Sequence, residues 1–142
     1  MNMKKVITFF VLMVVSSLVV TLEMAIPPFR ELFTGSPLFL VPFGVFFLFS
    51  LFFLVATFRA EISGALRGLL LVTGGSGAAI FVSILLHNFI YGIFVHFFGE
   101  GIWGGVGGDE PVFFILGIIV FPALYLLGAI GTTINLLIRW RG

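Results

Sequence analysis

The stretch GLLLVTGGSGAAIFVSILLHNFIYGIFVHFF, residues 68–98, decides the fold. It contains no Asp, Glu, Lys or Arg. Written as an α-helix it is about 45 Å long at 1.5 Å per residue. That exceeds the ~30 Å hydrocarbon core of a bilayer, so it should tilt, kink or project beyond the core. In water such a helix would have nowhere to hide its surface; in lipid it needs no cover.

Working outward, three more stretches have the same character, at about 6–26, 38–58 and 111–138. The whole chain agrees with them. Of its 142 residues 61% are hydrophobic and 9% charged, against roughly 45–50% and 25% in a soluble domain. The mean hydropathy is +1.30. A soluble enzyme and a disordered chain are both excluded, the second because disorder needs low hydrophobicity and high charge. The expected fold is an all-α membrane protein, a four-transmembrane-helix bundle formed by residues 1–142 as one integral membrane domain. The first segment begins like a signal peptide. Its end, Leu22-Glu23-Met24-Ala25-Ile26-Pro27-Pro28, lacks the small-residue cleavage pattern, so it reads as a retained helix.

Orientation follows from the basic residues in short links. Lys4, Lys5, Arg59, Arg67, Arg139 and Arg141 fall on one side of an up-down-up-down arrangement and Arg30 on the other. Glu31, Glu100, Asp109 and Glu110 lean the opposite way, with Glu61 on the basic side. Both termini are therefore expected to be cytoplasmic, in a multi-pass protein of a prokaryotic inner membrane. Trp103 and Trp140 are expected near the two headgroup levels. The links, Pro27 to Pro37 and the glycine-rich Gly99 to Asp109, are too short for a soluble domain and read as turns. Asp109 is expected to N-cap the last helix, with Glu110 at the positive dipole end and Pro111 in the first turn. Pro122 and Pro42 are expected to kink their helices.

Chemistry-bearing residues are few. There is no cysteine, which excludes disulfides, thiolate metal sites and thiol redox chemistry. Seven basic residues scattered over four segments make no nucleic-acid patch. Ionisable groups inside spans are costly and mark function by default. Glu23, in the first span, and His87, in the third, both fall in the outer third, so a bundle could bring them together. His87 shares a face with Tyr91, four residues on, and is followed by Asn88. Glu23, His87, Asn88 and Tyr91 are the candidate ligand or transport-path residues; the alternative is interhelical glue. His87 and His96 point to opposite faces, so one chain cannot sandwich a haem between them. His96, Glu100, Asp109 and Glu110 lack a metal-ligand spacing. No catalytic residue, metal site or cofactor is indicated, although the phenylalanine-rich second span leaves room for contact with lipid, a quinone or a pigment.

Small residues give the richest pattern. Gly74 and Ala78, and Gly75 and Ala79, are four apart, which lets backbones approach closely. Gly117, Phe121, Leu124, Gly128, Gly131 and Asn135 repeat at helical spacing. These two sets are expected to dock the third and fourth spans on each other. The function read from all this is a non-enzymatic small subunit or scaffold of a larger membrane assembly, partnered by the bilayer and by other subunits or itself. The alternative is a small homo-oligomeric channel or transporter for an ion or small solute.

Overall fold

A computed structural model describes residues 3–33, 36–103 and 110–141. Nearly all of these residues are helical, with no strand among them. Four helices are long and apolar enough to cross a membrane: Met3–Ala25, Leu38–Arg59, Ala65–Phe98 and Pro111–Arg139. Each begins and ends within a few residues of the stretch its hydropathy marks. Residues 104–109 and the side chains of Trp103, Glu100, Trp140 and Arg141 lie outside the described set, and with them the expectations for Asp109 and for both tryptophans.

The first span is α1, Met3–Ala25. Pro27 and Pro28 then remove two backbone donors and bias Ile26 away from helical geometry. The break lasts one residue, because the Ile26 carbonyl accepts from the Phe29 and Arg30 amides at 3.0 and 3.1 Å. A short helix, α2 (Pro27–Phe33), follows, and then a 3-10 turn, Pro37–Leu40, capped by the Ser36 hydroxyl. The described residues of the link between the first two spans are thus largely helical rather than a plain turn. Proline at a first helical turn costs nothing, since those N–H groups have no partner anyway.

The second span continues as α3, Val41–Arg59. Pro42 lies in its first turn and does not kink it; the 3-10 turn before it already supplies the change of geometry. The third span is α4, Ala65–Phe98, begun at Gly64 and ended at Gly99. Both glycines have positive φ, 71° and 79°, where a side chain would be strained. The fourth span starts as α5, Pro111–Ile115, widens into a π-helical stretch, Leu116–Val120, and continues as α6, Phe121–Arg141. The π stretch sits directly before Pro122. The missing N–H and the ring clash are absorbed by widening the preceding turn, the usual alternative to a sharp kink.

The helices pack as a row. α1 packs on α3, α3 on α4, and α4 on α6 and the α5 end. The α1–α3 contact is built from Phe10 against Phe53 and Phe9 against Phe52, at ring separations of 5.7 and 5.8 Å. Val6, Met13, Phe53, Ala56, Leu66 and Leu70 are buried within it and against α4. Glycines decide the other approaches. A Cβ at Gly74 would meet Phe53 and Leu54 at 2.9 Å, and one at Gly77 would meet the Ser50 hydroxyl at 2.7 Å. Those glycines of α4 therefore face α3, not α6. The α6 stripe does face α4: a Cβ at Gly128 would come within 2.6 Å of the Thr73 hydroxyl and 3.1 Å of its amide nitrogen, and one at Gly131 within 2.8 Å of Leu69. Gly117, one stretch earlier, faces Ser83 of α4 at 3.1 Å. Ala78 is buried, whereas Gly75 has open space beside it. Asn135, at the stripe's end, returns its amide to the Gly131 carbonyl of its own helix.

Candidate functional site

The row leaves a seam where α1 and α6 face each other without packing closely. The Tyr125 hydroxyl donates to the Ser17 hydroxyl across it at 2.9 Å. Tyr125 is pinned there by an edge-on contact with Phe46, ring centroids 5.3 Å apart. This bridge divides the seam. Towards the basic end lies a cavity of about 600 Å³ between Met3, Ile7, Phe10 and Val11 of α1 and Thr133, Leu136, Leu137 and Arg139 of α6. Towards the other end lies a larger one of about 730 Å³. Its floor is Ser17, Phe46 and Tyr125, and its far rim carries His87.

His87 is built into that rim by Glu110. The carboxylate accepts from the Val112 and Phe113 amides at 2.8 and 2.9 Å, capping the start of α5. Glu110 is therefore the cap observed. Its oxygens are placed where the first-turn N–H groups point, and the dipole favours the negative charge. The His87 Nδ1 lies 3.1 Å from the Glu110 carbonyl and 3.4 Å from its carboxylate. Both are acceptors, so Nδ1 carries the proton. Glu110 is 3% exposed. Burial by itself would push its pKa up, but the hydrogen bonds from Val112, Phe113 and His87 outweigh it, and the carboxyl stays below its ordinary value. The imidazole stacks on Tyr91 at 6.5 Å and lies 5.5 Å from the Phe114 ring.

The four candidate path residues do not form one group. Tyr91 joins His87. Asn88 is exposed and donates to the Ile84 carbonyl of its own helix at 2.7 Å. Glu23 is 1% exposed, and neither of its oxygens has a hydrogen-bond partner. The partner of His87 is Glu110 rather than Glu23. Residues 17, 21 and 24 of α1 line the upper cavity while position 23 does not, so Glu23 faces away from the seam. Position 23 was visible in the sequence as a charge in a span. The His87–Glu110 pair was not, because it depends on how far the start of α5 reaches along α4. The expected caps and acids near residue 109 were the available hint.

Most other polar side chains in the spans bond to their own helix. Ser16, Thr21, Ser50, Ser76 and Thr133 each donate to a carbonyl three or four residues earlier. Thr73 does the same and also meets Thr132 across the α4–α6 contact at 3.3 Å. Among the described residues no three of His, Asp and Glu gather as a metal-ligand group. No family model matches the chain, and neither a curated protein nor a solved structure is significantly similar to it.

Proposed function

We propose that this chain is a non-enzymatic subunit or scaffold of a larger membrane assembly, with both termini on the cytoplasmic side of a prokaryotic inner membrane. The observation that carries the reading is the open row of helices. Among the described residues α1 and α6 do not pack closely on each other, meeting at the Ser17–Tyr125 bridge, and α6 turns Leu126, Leu127, Ile130, Ile134 and Ile138 outward. A subunit offers such faces to neighbours, whereas a self-sufficient bundle closes on itself. The polar groups of the spans support the reading too, because bonding to their own carbonyls spends them locally. The orientation rests on charge: Lys4, Lys5, Arg59, Arg67 and Arg139 lie at the end shared by the termini and the α3–α4 link.

Glu23 favours a second reading, a small homo-oligomeric channel or transporter for an ion or small solute. A buried carboxyl with no partner is expensive in a span and is a functional candidate for that reason. Native mass spectrometry of the protein released gently from its own membrane separates the two. A reproducible complex with unlike subunits is the expected result. A clean homo-oligomer, together with ion flux in proteoliposomes that Glu23→Gln abolishes, would replace the subunit reading with the transport one.

A further inference from the structure

The lower cavity of the α1–α6 seam lies at the basic end of the molecule. Along α1 it runs from Met3 to Val11, about 12 Å, and along α6 from Thr133 to Arg139, about 9 Å, at 1.5 Å per residue. One leaflet is about 15 Å of the ~30 Å hydrocarbon core, so the cavity covers the head-proximal part of a leaflet. It is open on the lipid side: Ile7, Val11 and Leu137 line it and are 39%, 50% and 47% exposed. Its volume of about 600 Å³ falls within the roughly 300–1,000 Å³ of ligand clefts.

The lining separates by polarity. Met3, Ile7, Phe10, Val11, Leu136 and Leu137 make apolar walls, and only Thr133 and Arg139 bring polar side chains. Thr133 spends its proton on the Ala129 carbonyl at 2.8 Å. The Arg139 side chain is exposed, and among the described residues it has no ion-pair or hydrogen-bond partner. A guanidinium has five N–H donors, a permanent charge and no acceptor. Its match is an anion, and a phosphate can take two parallel hydrogen bonds from it. Lys4 adds charge on the same flank, three residues before Ile7 and seven before Val11 on one face of α1. No carboxylate lines the cavity. A head that carries an ammonium beside its phosphate would find no countercharge there and would meet like charges instead. The upper cavity of the same seam is also open to lipid but is lined by no lysine or arginine, so this selection belongs to the lower one.

We propose that the lower cavity binds an anionic phospholipid, its phosphate on the Arg139 guanidinium and the near part of one acyl chain held between α1 and α6. The site is independent of the subunit reading and of the direction in which the chain crosses the membrane.

Dioleoylphosphatidylglycerol and dioleoylphosphatidylcholine serve as the probes, since they share their chains and differ in net charge. Each is titrated into the full-length protein in mild detergent and followed by native mass spectrometry. One phosphatidylglycerol per chain is expected, held at least fivefold more tightly than phosphatidylcholine. Arg139→Gln should remove most of that preference, about fivefold for one charge at a membrane surface. Arg67→Gln removes an equal charge at the same end but away from the cavity, and should leave the preference as in wild type. Leu137→Trp, which places a ring in the cavity from its lipid-facing wall, should weaken both lipids several-fold. Equal affinity of the wild type for the two lipids overturns the proposal. Equal loss in the two arginine variants overturns it as well and makes the preference a property of the whole basic end. Unchanged binding in a folded Leu137→Trp protein overturns it too, because no chain then sits between the helices. If circular dichroism shows that Leu137→Trp has not folded, the wild type and the two arginine variants decide alone.

Discussion

α6 meets two helices in opposite ways. Against α4 it presents Gly117, Gly128 and Gly131, and the backbones close until a single added carbon at Gly128 would strike the Thr73 main chain. Against α1 it presents Tyr125, Thr133, Leu136 and Leu137, and the two helices stay apart around two cavities. Lipid supplies no hydrophobic drive to pull helices together, because its tails are as apolar as leucine. Contact between spans must then come from close packing and a few hydrogen bonds. Where one helix face is smooth the pair closes; where it is studded with large side chains it holds open and leaves room for something else.

The largest effect should come from roughening the smooth side. Gly128→Leu puts a branched side chain where 3.1 Å separates a Cβ from a backbone nitrogen. Overpacking of this kind costs about 1–3 kcal/mol, and more when backbone must move. The expected outcome is a protein that loses its α4–α6 contact and unfolds at much lower denaturant in a dodecyl sulfate titration followed by circular dichroism. A midpoint equal to wild type would mean that the close approach contributes little.

Next comes the α5 end of the same side, where Glu110 ties the start of α5 to His87 of α4. Glu110→Ala should cost about 1–2 kcal/mol, the usual loss of a cap. The effect should depend on pH. The folded carboxyl binds its proton less readily than the unfolded one, so its contribution is complete above the ordinary carboxylate range and is lost as pH falls through the lower folded value. Wild type should therefore lose stability on acidification more steeply than the variant. Parallel acid profiles for the two would remove Glu110 from the account.

A smaller effect is expected on the open side. Tyr125→Phe removes the hydroxyl that bridges to Ser17, and interhelical bonds in membrane proteins average ~0.6 kcal/mol. Stability should barely change, but the α1–α6 distance distribution between spin labels at positions 18 and 126 should broaden. An unchanged distribution would show that the seam is held by packing alone. The smallest effect should be Gly75→Ala. Nothing lies within 4 Å of the added carbon, so the variant should match wild type or gain up to ~1 kcal/mol from helix propensity. A clear loss would mean that a partner absent from this chain packs there.

The contrast between Gly74 and Gly75 shows where sequence reading stops. Both sit in one glycine run, and spacing alone treats them alike. One faces Phe53 and Leu54 of α3 and the other faces open space. A helical repeat identifies a smooth face but not the neighbour that meets it. The same holds for Pro42 and Pro122. Each was readable as a proline in a span, yet one falls in a first turn, where it is harmless, and the other displaces hydrogen bonds into a π turn.

For this protein the sequence by itself determined the number of spans, their limits and the uneven distribution of basic charge. Those follow from hydropathy and length, which each segment carries without reference to its neighbours. The tertiary structure alone decided that α4 gives its Gly74 and Gly77 to α3, that His87 meets Glu110 rather than Glu23, and that the row fails to close between α1 and α6. Each of those depends on the rotation and offset of one helix against another. In a medium where every apolar face is equally well solvated, only packing detail sets them.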